Sequence, residues 1–135
     1  MQITRQADYA LRAIIYLSGL EENKNATTSL IAKDQKIPPS FLAKIISQLS
    51  LAGLIHTSRG AGGGVSLAKS ASEISVLDVV EAIDGPVYLN ECTEGSASCP
   101  FLESCPIQEV WCEARSDLVD KLSSATFSHS SAPAV

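Results

Sequence analysis

The sequence predicts a mostly α-helical fold with a small β wing: a winged helix-turn-helix domain followed by a long C-terminal dimerisation helix. Three observations carry that prediction. Two short helical patterns meet across Pro38-Pro39, a glycine-rich run joins two strand-like stretches, and a last apolar periodicity runs alone from Pro106 to about Ala125.

The first helix is expected from Thr4 to about Leu20, where Ala7, Leu11, Ile14 and Ile15 recur at helical spacing behind Thr4 as N-cap. On its polar side Arg5, Asp8 and Arg12 stand three and four apart, the spacing of a surface ion pair. A second helix spans about Thr28 to Gln35, with Leu30 and Ile31 as its apolar contacts. Pro39 presets the first turn of a third helix, in which Phe41, Leu42, Ile45, Ile46 and Leu49 form one apolar stripe. Opposite that stripe lie Ser40, Ala43, Lys44, Ser47 and Gln48, a polar face free to meet a partner. Gly53 is placed to stop the helix in a left-handed cap.

Leu54 to Ser58 and Val65 to Leu67 read as paired strands around the turn Arg59-Gly60-Ala61-Gly62-Gly63-Gly64, the outline of a wing. The run precedes a strand and has no following Lys-Ser/Thr pair, so it is not a nucleotide-phosphate loop. Ser75 and Asp78 form a capping box flanked by Ile74 and Val79, which starts a fourth helix that ends at Gly85-Pro86. No period is sustained from Val87 to Cys105. In the last helix Ile107, Trp111, Ala114, Leu118, Leu122 and Ala125 step by four or three, close to a coiled-coil seam that suits pairing with a second subunit. The expected organisation is a winged domain over 1–85, a cysteine-bearing loop over 86–105, the dimerisation helix over 106–126 and a disordered tail over 127–135.

Charge sharpens the choice of partner. The net charge of -5 is unevenly spread: residues 1–69 hold eight Lys/Arg against four Asp/Glu, and residues 70–135 hold two against eleven. A basic first half is a footprint for phosphate, which the acidic half repels. Double-stranded DNA is therefore the expected partner. Ser40, Lys44 and Gln48 are the expected base or phosphate contacts, with Thr28 at the head of the second helix, Arg59 entering a narrow minor groove, and Gly60 approaching the backbone. No apolar run reaches the ~18 residues of a membrane span, and the N-terminus lacks a signal-peptide core, so the expected compartment is the cytoplasm, with no membrane partner. No nucleophile-base constellation argues for an enzyme or a small-molecule substrate.

All four cysteines fall between Cys92 and Cys112 at the spacing C-x6-C-x5-C-x6-C. In a reducing compartment such a cluster argues for metal or redox chemistry over structural disulfides. The spacings lack the paired knuckles of most structural zinc sites, which favours an iron-sulfur cluster while leaving zinc and a regulatory disulfide as alternatives. Cys92, Cys99 and Cys105, on an irregular segment, converge more easily than Cys112, which the helix carries roughly 10 Å along its axis from Cys105. Cys112 is therefore the reserve ligand. A cluster-free thiol switch and a small iron-sulfur electron carrier are the rival functions; the carrier has no need of a wing or a basic first half.

These residues resemble a known family. Tyr9-Ala10-Leu11-Arg12, the run from Phe41 to Ile46, Ala52-Gly53-Leu54-Ile55, Ser58-Arg59-Gly60 and Gly63-Gly64-Val65-Ser66-Leu67 are similar to the Rrf2 family of bacterial transcription regulators. The resemblance extends to about Ala125. It implies a homodimeric winged helix-turn-helix repressor or activator on a roughly palindromic site, with an iron-sulfur cluster, four-iron favoured and two-iron the alternative, near the junction of its two parts. IscR-like members carry a histidine three residues after the third cysteine, where Gln108 stands here. NsrR-like members use an aspartate of the first helix, donated by the other subunit, and Asp8 matches that position. The resemblance therefore implies Cys92, Cys99, Cys105 and Asp8 as ligands of a cluster that senses redox state, nitric oxide or iron supply. Ala43 stands where an acidic residue is common, so base preference is not carried over.

Overall fold

A computed structural model of the chain describes residues 2–21, 24–89 and 105–128. Helix α1 (Arg5–Ser18) starts where expected, because the Thr4 hydroxyl accepts from the Ala7 amide at 3.1 Å. It is buried more broadly than its apolar spacing suggests: Ala7, Tyr9, Ala10, Ala13, Ile14 and Leu17 are all enclosed. The alanines leave room for the helices over Pro39–Leu51 and Val76–Asp84 to pack closely against it.

Helix α2 (Thr28–Gln35) is capped by Thr27, whose hydroxyl accepts from Leu30, and it ends at Lys36 in the left-handed region with φ 54°. Ile31 and Ala32 are buried while Leu30 points outward, so the expected contact pair Leu30–Ile31 is replaced by Ile31–Ala32. Helix α3 (Pro39–Leu51) buries Leu42, Ile45, Ile46 and Leu49, and Gly53 follows it at φ 77°, the expected left-handed stop. Phe41 leaves the stripe: it is 45% exposed, its ring tilted on that of Tyr9 at 6.2 Å between centroids.

Strands β1 (Ile55–Ser58) and β2 (Gly64–Leu67) pair antiparallel, Ile55 opposite Leu67 and Ser58 opposite Gly64. Ile55 and Val65 anchor the hairpin in the core. Two of its glycines answer to their own chain. A Cβ on Gly63 would stand 2.6 Å from the Ser58 carbonyl oxygen, and one on Gly64 would stand 2.6 Å from that of Ala26. Ala26 also forms a bridge to Val65 through two backbone hydrogen bonds of 3.0 and 2.7 Å, which ties the wing to the α1–α2 connection.

A 3-10 turn at Ala71–Glu73 leads to α4 (Val76–Asp84), where both hydrogen bonds of the Ser75–Asp78 capping box form at 3.0 Å. At its far end Asp84 accepts from the Thr4 hydroxyl at 2.6 Å and the Thr4 amide at 3.3 Å. An acid in the last turn of a helix opposes that helix's dipole; here the first turn of α1 compensates it.

Helix α5 (Gln108–Ser124) begins two residues later than expected. Pro106 and Ile107 form a turn in which the Gln108 amide donates to the Cys105 carbonyl at 3.3 Å, and Ile107, the N-cap, offers no side-chain acceptor. None of its residues is fully buried: Ala114, Leu118 and Leu122 are half-buried and the helix packs along α4, whereas Ile107, Val110 and Trp111 stay exposed. Beyond α5 the chain returns to the core. Val76 donates to Ala125 at 2.8 Å, Ser75 bridges Thr126, and Phe127 is buried with its amide shared between the Ala71 and Ile74 carbonyls. Phe127, expected as the first residue of the tail, thus belongs to the core, and residues 129–135 lie outside the described residues. No helix among the described residues is long and apolar enough to cross a membrane.

The Tyr16 hydroxyl donates to Asp34 at 3.0 Å and ties α1 to α2. Burial first, then the hydrogen bond and charge of Asp34, raise this phenol above its ordinary 10.0. The folded chain holds the proton more tightly than the unfolded one, so this contribution is complete below about pH 10 and is lost as pH rises past the folded value. Tyr16→Phe should flatten the alkaline fall of the melting temperature; an unchanged profile assigns that fall to other groups. Phe127→Ala should destabilise the fold by about 3 kcal/mol in urea unfolding. A midpoint that does not move would place residue 127 outside the cooperative unit.

Candidate functional site

The outer side of α3 presents Ser40, Ala43, Lys44 and Ser47 to solvent, as its wheel predicts. Gln48 departs from that prediction. It is half-buried on the flank of Ile45 and Leu49, and its Oε1 is shut off without a hydrogen-bond partner. As placed, that oxygen is not offered to a partner molecule. Thr28, the first residue of α2, is exposed, and with Ser29 and Lys33 it faces Pro39, Leu42 and Ala43 across a groove of about 330 Å³ between the two helices.

The wing brings a second exposed group beside this one. Arg59 and Gly60 stand in the open turn, Gly60 at φ 90° with nothing near the position of a Cβ. Among the described residues, Lys33, Lys36, Lys44 and Arg59 take part in no ion pair. Four acids, Glu109, Glu113, Asp117 and Asp120, are exposed on α5, whereas on α2 the one acid, Asp34, is exposed and accepts from Tyr16. His56, in β1, lines a more polar cleft of about 610 Å³ between the end of α1 and the hairpin, together with Lys24, Asn25 and Lys69. A surface so divided attracts a polyanion to the α2–α3–wing side and repels it from α5.

Of the expected metal ligands, Cys92 and Cys99 lie outside the described residues. Cys105 is half-buried in the turn before α5, and Cys112 is exposed on the helix; both are free thiols. With α5 starting at Gln108, Cys105 stands outside the helix, in the turn that precedes it. Asp8 faces solvent and holds Arg12 at 3.0 Å, the surface ion pair its spacing suggests. Among the described residues no three His, Cys, Asp or Glu side chains converge. Thiolates and one carboxylate suit iron in kind, and the exposed position of Asp8 leaves it open to another subunit once Arg12 releases it.

Three residues that position these groups carry no local signal. Asp84 fixes the start of α1, on which Asp8 stands. Arg115 donates from Nε to the Val87 carbonyl at 2.7 Å and lies 4.6 Å over the Tyr88 ring, pinning the chain just before the cysteine-bearing stretch. Asn25 bonds the wing turn. Each acts on residues 28 to 80 positions away, a reach that periodicity and motif do not register.

A family model described as Rrf2, iron-dependent transcriptional regulator, matches residues 3–130. Protein aau3 of Rhizobium meliloti is 39% identical over 106 residues, covering 78% of this chain and 68% of that protein. CymR, the global cysteine regulator of B. subtilis, superposes with a TM-score of 0.83 over 99% of both chains at 24% identity. IscR of T. potens does so with a TM-score of 0.75 over 94% of this chain and 83% of its own, at 22% identity. At those identities the two structures speak for the fold, and the family match speaks for the kind of protein. The chain belongs to the Rrf2 family and is a winged-helix, DNA-binding transcriptional regulator.

Proposed function

We propose that this regulator works as a homodimer that reads a roughly palindromic DNA site and releases or redirects it when an iron-sulfur cluster is lost or altered. The observation that carries the DNA half is that Lys33, Lys44 and Arg59, on the helix-turn-helix and the wing, are exposed and among the described residues in no ion pair, while α5 carries four exposed acids. Two α3 helices enter successive major grooves, Ser40 and Lys44 meet bases or phosphates, Thr28 meets the backbone, and Arg59 enters the flanking minor groove. The half-exposed Ile107, Val110 and Trp111 supply apolar surface for pairing of α5 with its copy.

The iron-dependent description of the family and the cysteine spacing support the cluster, with Cys92, Cys99 and Cys105 as its thiolates and the partner's Asp8 as fourth ligand. When bound, the cluster supplies iron-ligand bonds that oxidants and nitric oxide break. This chain's own part is mechanical. Cys105 leads into α5, Val87 is held by Arg115, and Asp84 holds Thr4, so strain in the cysteine stretch bears on both α5 and the first turn of α1. Because two half-sites must be met together, a change in the angle between subunits lowers affinity or alters sequence preference. The exposed Cys112 thiol favours one second reading, a cluster-free thiol switch that binds DNA in the same way.

Against the duplex that the wild-type protein selects from a randomised pool, Lys44→Ala or Arg59→Ala should weaken binding. Each should also reduce the slope of log affinity against log salt by about one for each half-site contacted. Normal binding by Arg59→Ala would count against the wing's role. Absorption and Mössbauer spectra of protein purified without oxygen, with DNA titrations before and after cluster removal, test the other half. A cluster whose removal changes affinity is expected, and Asp8→Ala should perturb its spectrum. Colourless, iron-free protein with unchanged DNA binding leaves the thiol switch in its place.

A further inference from the structure

The structure assigns to Asn25 the role of a positioning residue that sets how far the wing stands from the recognition helix, and so the reading of the base pairs that flank each half-site. The inference rests on the wing entering DNA through Arg59.

Asn25 lies in the polar run between α1 and α2, where the sequence shows only a solvated connection. Its Nδ2 donates to the carbonyl of Gly62 at 2.9 Å, across 37 residues of chain. The next residue, Ala26, is buried and bridges Val65 of β2. The one after it, Thr27, caps α2. Three consecutive residues, spanning roughly 10 Å when extended, thus hold the wing turn, a wing strand and the first turn of the helix-turn-helix in one line.

The turn has little else to hold it. Gly60 and Gly62 take φ of 90° and 78°, with nothing within contact of a Cβ at either. Among the described residues, nothing packs against the loop at those two positions. Inside the turn one backbone hydrogen bond, Gly63 to Gly60 at 2.9 Å, closes it on itself without fixing its direction. A two-stranded hairpin is marginal in water by itself, so its attachment decides its pose. Ala26 holds β2 at Val65, one pair from the turn, and Asn25 holds the turn itself. Between them they fix the site from which Arg59 reaches.

Reading a narrow minor groove by an inserted guanidinium depends on that distance, because the same dimer must keep α3 in the neighbouring major groove. Loss of the Asn25 bond frees the tip without touching α3. The effect therefore falls on flanking base pairs, not on those under α3.

The test is a double-mutant cycle of Asn25→Ala and Arg59→Ala, read by titration of the duplex selected by the wild-type protein. A second duplex carries A·T and G·C pairs exchanged only in the flanks. Asn25→Ala should weaken binding about threefold to tenfold, the worth of one hydrogen bond. It should also reduce discrimination between the two duplexes, and it should add nothing once Arg59 is alanine. Asn25→Leu, which keeps the size but loses the donor without adding charge, should behave like the alanine variant, and both should melt close to the wild type. If Arg59→Ala weakens binding while Asn25→Ala has no effect, or an equal effect in both backgrounds, the assignment is overturned and the wing stands. If Arg59→Ala changes nothing, the reading of the wing falls and takes this inference with it.

Discussion

The close seating of α1 against α3 and α4 is the constraint on which the rest depends. Ala7, Ala10 and Ala13 are wholly buried, and a larger side chain at any of them would push two helices apart at once. The recognition helix and the helix leading to the cysteine stretch are thereby held by one element. Asp84 completes the arrangement by joining the end of α4 to the beginning of α1, whose N-terminal dipole offsets the cost of an acid in the last turn of α4. The start of α1 thereby joins the end of α4, three residues before Val87, to the helix against which α3 packs.

The same arrangement separates charge in space as the sequence separates it along the chain. Lys33, Lys44 and Arg59 are exposed and, among the described residues, in no ion pair, and α5 carries a row of exposed acids. The acids of α5 repel phosphate, and on the same helix Val110 and Trp111 stay exposed. Asp8 stands apart from both groups. Its pairing with Arg12 neutralises it within one subunit, so any use of its carboxylate as a ligand has to compete with that guanidinium.

Local chemistry was legible before the fold was known. Thr4, the Ser75–Asp78 box, Gly53 and the glycine turn act over a few residues, and each appears where its residue type requires. The edges of the stripe on α3 were not legible: Phe41 lies outward and Gln48 inward, because a helical wheel gives the direction of burial but not which neighbour overhangs which edge. The start of α5 shifted for a similar reason, since Pro106 permits a first turn without compelling one. Phe127, in a stretch rich in Ser and Ala, and Asn25, in a polar loop, depend on partners far along the chain. The match to the family and the basic first half pointed to the DNA side, whereas two of the expected cluster thiols lie beyond the described residues.

Arg115 holds Val87, and the turn before α5 holds Cys105, so the stretch bearing Cys92 and Cys99 leaves and rejoins the body at fixed points. A pull exerted by that stretch reaches α5 twice, through the guanidinium of Arg115 and through the turn at Cys105 that precedes the helix.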